Sequence, residues 1–203
     1  RLHNHRPTSR VTRISPQNGW GGRDGRWGIQ DTRDGSTDTR GNQVADLTIR
    51  NAHLADGTGA PARPADVVVE GDRIVDVALP GEGSAARREI DADGRLVTPG
   101  FVDIHTHYDG QATWDPEMTP SSWHGVTTVV MGNCGVGFAP ADPGRRDWLI
   151  QLMEGVEDIP GTALAEGMSW NWETFPEYLD ELESMPRVMD VAAQIPHGAV
   201  RGY

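Results

Sequence analysis

Lysine is missing from this chain altogether, and cysteine occurs once, as Cys134. All 18 basic residues are arginine. Without lysine there is no Schiff base, no P-loop phosphate contact and no carbamylated-lysine bridge between metals. A single cysteine cannot close an intrachain disulfide, which excludes a small secreted scaffold stapled by bridges. Long hydrophobic runs are missing too. No apolar stretch approaches the roughly 18 residues of a candidate membrane span, so no membrane partner is expected. The first residues include arginines but no apolar h-region, so no secretory signal is expected and the expected location is cytoplasmic. Positive charge is scarce, with a formal net charge of −12 over 203 residues. Nucleic acid demands a basic face, and is excluded as the main partner. The length allows one domain, or a domain with an appendage.

The chain opens on Arg1 rather than methionine and stops at Tyr203 just after an apolar stretch. It is expected to be the N-terminal fragment of a longer protein. Residues 1–44 stand apart, with eight arginines, four aspartates, no glutamate and few aliphatic residues. Such a composition buries too little apolar surface to offset ordering entropy, so a disordered tail is expected over 1–44. Trp20 and Trp27 among the arginines and glycines admit an Arg/Gly nucleic-acid tail. The four aspartates and the lack of a repeat favour a non-native extension instead.

From Ala45 the texture changes. Asp46 to Leu54 alternates apolar and polar residues, as a strand does. Ala65 to Glu70 and Arg73 to Ala78 are strands joined by Gly71-Asp72, which predicts a β-hairpin. Glu89 to Val97, with Asp93-Gly94 as a turn, adds one or two more. Residues 45–98 are therefore an all-β module of about 55 residues, small for an independent core. It is expected to complete its sheet with strands from beyond Tyr203.

Residues 99–203 read differently. Phe101-Val-Asp-Ile is a short apolar strand running into His105-Thr106-His107. Val126 to Met131 is a β-branched run, expected to be buried on both faces. Ser121 to His124 reads as a helical turn, and Arg146 to Glu154 as a short helix. Thr174 and Glu177 form a capping box, with Pro176 in the first turn, opening a helix to about Met185. Val188 to Ile195 is a third strand, closed by Pro196-His197-Gly198. The order is that of a parallel β/α sheet. Three strands in this length are under half of a (β/α)8 barrel, which needs about 250 residues.

His105 and His107 stand two apart on a strand, so both imidazoles leave the same face at its C-terminal end. Two neutral imidazoles side by side are natural ligands for a cation such as zinc. Two histidines in a turn are also commonly plain exposed polar residues. Cys134 follows the next strand, at the same end and about 4.8 Å across. Its thiolate would suit zinc, whereas a lone cysteine is often a small buried hydrophobe. Asp103 is expected to point with the two histidines and to hold an imidazole. Tyr108 and Asp109 extend the motif and are expected to shape the pocket or brace the turn. His197 either reaches a substrate or caps its strand. Trp114, Trp123 and His124 are expected to be packing or loop residues, and His3, His5 and His53 to face solvent.

The run Pro99-Gly-Phe-Val-Asp-Ile-His-Thr-His-Tyr-Asp-Gly resembles the metal-site strand of the amidohydrolase superfamily. Ser121-Ser-Trp-His-Gly-Val-Thr-Thr-Val-Val-Met-Gly-Asn-Cys-Gly-Val-Gly-Phe-Ala-Pro resembles, more specifically, the N-acyl-D-amino-acid deacylase (D-aminoacylase) branch. Asp56-Gly-Thr-Gly and Met153-Glu-Gly-Val-Glu-Asp-Ile-Pro-Gly-Thr-Ala-Leu fit the same branch. The resemblance covers about 45–203 and leaves 1–44 unexplained. It implies an α/β fold, with the first strands of a (β/α)8 metal-dependent hydrolase barrel over 99–203. A small β-sandwich module over 45–98, built from both chain ends, would precede the barrel. It also implies Zn2+ as cofactor, held by His105, His107 and Cys134; other branches use a carbamylated lysine that this chain lacks. The family's further ligands and its catalytic aspartate fall on later strands, so the general base is expected beyond Tyr203. The implied activity is hydrolysis of the amide bond of a small-molecule N-acyl-D-amino acid, with His197 as a candidate substrate contact. A cyclic-amide hydrolase of the dihydroorotase or hydantoinase kind is one alternative, against which the Cys134 neighbourhood argues. A non-catalytic metal-binding fragment is the other.

Overall fold

A computed structural model describes residues 11–12, 44–157 and 159–203. They divide into two units, one of 44–99 and one of 11–12 with 100–203. Strand β1 (Val11–Thr12) belongs to the second.

In the unit of 44–99, β2 (Ala45–Leu54) is the predicted strand, but its burial alternates only over 51–54, after a register shift between Ile49 and Ala52; Ala45, Thr48, Ala52 and Leu54 are the buried residues. β3 (Arg63–Glu70) and β4 (Arg73–Ala78) form the predicted antiparallel hairpin, with Gly71 at positive φ in the turn. β5 (Ala86–Asp91) and β6 (Leu96–Val97) both pair with β2 in parallel. The result is one mixed sheet of order β4-β3-β2-β5, with β6 also on β2. Its core is small, consisting of Ala52, Leu54, Ala65, Val67 and Ala92. Ile74, Val75 and Val77 on β4 stay exposed. Among the described residues this unit holds one sheet.

The second unit is a parallel sheet of order β1-β9-β8-β7, with β7 at Phe101–Thr106, β8 at Val126–Met131 and β9 at Asp190–Ala193. The expectation of a structureless stretch 1–44 is corrected at one point. Val11 and Thr12 pair with Val191 and Ala192 of β9, where two β-branched residues meet a strand edge. The rest of that stretch up to 43 lies outside the described residues. Between β8 and β9 run α1 (Arg146–Glu157), α2 (Gly161–Gly167) and α3 (Phe175–Ser184), and α4 (His197–Gly202) follows β9.

α3 starts at the predicted capping box. The Glu177 N–H donates to Thr174 Oγ1, and the Thr174 N–H donates to Glu177 Oε2 at 2.8 Å. α2 and α4 are not foreseen by the sequence reading, because Pro160-Gly161 and Pro196-His197-Gly198 look like turns. In the structure each proline sits immediately before its helix. Val129, Met131 and Val191 of the sheet pack with Leu149 and Met153 of α1 and with Tyr178 and Leu182 of α3. Each such side chain contributes about 1.5–3 kcal/mol on burial. β8 is not buried on both faces as expected. Only Val129 and Met131 are fully covered, because the helices lie on one face. β9 is also shorter than predicted, since the Val188 N–H donates to the Pro116 carbonyl instead of joining the ladder. Among the described residues no helix is long and apolar enough to cross a membrane.

Candidate metal centre

β7 and β8 do not pair evenly where the two histidines sit. Asp103 lies opposite Val129 and Thr106 opposite Met131, so Ile104 and His105 together face Val130 alone. This is a β-bulge, a feature that re-aims side chains at sites. It puts Thr106 on the core face with Val129 and Met131, buried, with its hydroxyl donating to the Val130 carbonyl at 2.9 Å. His105 and His107, on either side of Thr106, therefore leave from the opposite face. Their rings stack, with centroids 5.6 Å apart and planes at 26°.

Cys134 is delivered by the turn that ends β8. Gly132 has φ +82, and a side chain there would collide with the Gln194 carbonyl, so only glycine fits. The Gln194 N–H donates to Met131 across this crossing. The next residue, Asn133, donates its Nδ2 amide to the Ile104 carbonyl in the bulge. Gly135, at φ +96, bonds back to the Gly132 carbonyl at 3.1 Å, and its own carbonyl accepts from the Gly198 N–H at 2.7 Å. Held between two fixed glycines, Cys134 is exposed rather than a core residue.

One ligand atom from each of His105, His107 and Cys134 falls within 4.8 Å of the others. Around a tetrahedral zinc, bonds of about 2.0–2.3 Å set neighbouring donors roughly 3.3–3.6 Å apart. Rotations that move the donors by about 1 Å close the set. Two imidazoles and a thiolate match zinc in donor chemistry and leave a fourth position for water or substrate. The residues present fit the metal. Among the described residues no carboxylate joins the three.

The remaining candidates fall elsewhere. The Asp103 carboxylate accepts from the backbone N–H of His105 at 3.2 Å, not from an imidazole. The period-two argument that aimed it with the histidines fails at the bulge. Tyr108 is buried and donates to Ser121 Oγ at 2.8 Å, so it braces a turn. Asp109 is buried beneath Gly137, where any side chain would strike its carboxylate and the Pro196 ring. Its backbone carbonyl accepts from the Tyr178 hydroxyl at 2.6 Å, tying α3 to the turn after His107. Burial, helped by the Asp109 charge, pushes the Tyr178 phenol well above its usual range.

His197 opens α4 beside Gly135, exposed, and lines a groove with Arg145, Trp148 and Arg201; it is not one of the converging donors. Trp114 packs on the core as expected, whereas Trp123 is 74% exposed. His53 and His124 are exposed; His3 and His5 lie outside the described residues. Sequence reasoning misses Thr106 and Asn133. The signal for both lies in their positions, Thr106 between the histidines and Asn133 next to Cys134.

Residues 88–203 match the profile of the amidohydrolase family. A D-aminoacylase of Alcaligenes xylosoxydans xylosoxydans is 37% identical over 160 residues, 79% of this chain and 31% of that protein. An N-acyl-D-aspartate deacylase of the same organism is 38% identical over 159 residues, 77% of this chain and 29% of that protein. Among solved structures, N-acyl-D-glutamate deacylase from Bordetella bronchiseptica, in complex with zinc and a phosphonate mimic of the tetrahedral intermediate, superposes with a TM-score of 0.64 at 34% identity. The match covers 78% of this chain and 31% of that one. The chain thus spans about a third of the length of the relatives it matches.

Proposed function

Because this chain belongs to the amidohydrolase family, and within it to the D-aminoacylase branch, we propose that it carries part of a zinc site that hydrolyses N-acyl-D-amino acids. The observation that supports this reading is the convergence of His105, His107 and Cys134 on one point at the C-terminal end of a parallel sheet. These three residues would hold the ion. When bound, zinc supplies Lewis acidity toward an amide carbonyl and brings the pKa of its water to about 7. The bulge and the Gly132 turn fix the donors in advance, which lowers the cost of assembling them. His197, at the start of α4 beside the Cys134 turn, is the residue we assign to substrate contact. Proton transfer to the leaving amine is assigned to a carboxylate outside this chain, since none joins the donors among the described residues.

In this reading β7, β8 and β9 are the first strands of a (β/α)8 barrel, and 45–98 is the part of a β-sandwich that precedes it. The parallel pairing of β7, β8 and β9, with three helices in the β8–β9 connection, supports the first assignment. Relatives that are deacylases favour an open-chain N-acyl substrate over a cyclic amide.

The test is an assay of the protein extended to the length of its relatives, loaded with zinc and given N-acetyl-D-methionine and its L-enantiomer. The reading expects hydrolysis of the D-form and a loss of at least about a hundredfold in Cys134→Ala. Turnover of the L-form alone, or full activity in Cys134→Ala, would overturn it.

A further inference from the structure

Asn133 lies in the turn after β8, between Gly132 and Cys134. Gly132 and Gly135 carry the positive φ angles of that turn, and Asn133 is not among the residues with positive φ. Its role is therefore not the left-handed backbone that asparagine tolerates well. It is exposed, so burial does not explain it either. What its amide does is donate to the Ile104 carbonyl.

That carbonyl sits in the bulge, where two residues of β7 oppose one of β8 and the regular ladder is interrupted. Two side chains meet the interruption. The Thr106 hydroxyl takes the Val130 carbonyl, and Asn133 takes the Ile104 carbonyl. Ile104 precedes His105 and Asn133 precedes Cys134. The bond thus joins the two ligand-bearing segments one residue away from a ligand on each side. An even ladder would turn His105 and His107 toward the core face now held by Thr106.

We propose that Asn133 is a positioning residue of the metal centre, which holds the bulge and sets the Cys134 turn against the histidine strand before metal arrives. The inference rests on the zinc reading above. It concerns how the donors are held, and no role in touching substrate is assigned.

Asn133→Asp keeps size and shape but sets carboxylate oxygens against the Ile104 carbonyl, and Asn133→Ala removes the contact. The experiment titrates the 203-residue chain with Zn2+ against a chromophoric chelator. A parallel Co2+ titration follows the near-ultraviolet thiolate-to-cobalt absorption. Both Asn133 variants should bind zinc about 10–100-fold more weakly. They should keep the thiolate band at saturating cobalt, whereas Cys134→Ser loses it. In metal-free Asn133→Ala, amides of 104–107 and 132–135 should exchange faster while those of β9 are unchanged. This second measurement decides the matter even where Asn133→Asp does not fold. Parent-like zinc affinity in Asn133→Ala together with parent-like exchange overturns the inference and leaves the metal reading standing. A parent chain with no thiolate band overturns the metal reading, and this inference with it.

Discussion

Asp66 shows how a single residue anchors its unit. Its carboxylate is fully buried and takes only donors: the backbone N–H groups of Asn51, Gly81 and Gly83, and the Arg50 guanidinium at 3.2 Å. Burial pushes its pKa up, but these four donors outweigh that and hold it below the usual carboxylate range. A folded-state pKa below the unfolded value adds stability above roughly pH 4, lost as pH falls through the folded value. Asp66→Asn places an amide where four donors converge, and should destabilise the unit by about 2–3 kcal/mol at pH 7. Hydrogen-exchange protection of the β2 and β3 amides in Asp66→Asn and in the parent, compared at pH 7, measures it; equal protection would contradict the assignment. At this scale the meeting of His105, His107 and Cys134 was legible from their places after neighbouring strands, while the face on which they meet is set by the bulge. Asp103 was not, since the bulge that turns it depends on β8 and cannot be seen in β7 alone.

Among the elements, α3 is the one whose start the sequence announces. Thr174 and Glu177 hold each other's backbone groups, and the backbone N–H groups of Thr174 and Glu173 keep the Glu177 carboxyl below its usual range. Thr174→Ala should cost about 1 kcal/mol, read as a lower thermal midpoint of the chain. Thr174→Ser should restore most of it, and a midpoint unmoved by the alanine would show that packing of Tyr178 and Leu182 alone holds the helix. α2 and α4 were illegible for a physical reason. They are too short to form on their own propensity and exist through packing, Leu164 and Ala199 being buried in the core. β1 was hidden for a similar reason, since a two-residue strand has no period to read.

For the whole molecule, the change of texture near Pro99 was readable, and the units divide between Pro99 and Gly100. The single sheet of 44–99 was less so, because a run of strands does not say which of them share a sheet. In the second unit β7 is a sheet edge that exposes Phe101, Val102 and Ile104. An edge of this kind leaves a row of unpaired backbone groups where a further strand would pair. Among the described residues no carboxylate joins the donors, and a missing acid–base group costs 10²–10⁴ or so in rate. The zinc-loaded chain Arg1–Tyr203 should therefore release no amino acid from N-acetyl-D-methionine above the rate of free zinc. Measurable turnover would show that these residues hold a complete site.

In the proposed function two imidazoles and one thiolate of this chain hold a zinc ion. X-ray absorption at the zinc edge of the loaded chain reads those neighbours. One sulfur is expected at about 2.3 Å with nitrogen or oxygen neighbours at about 2.0–2.1 Å, and the sulfur should be lost in Cys134→Ser. A zinc ion surrounded only by nitrogen and oxygen in the parent chain would contradict it.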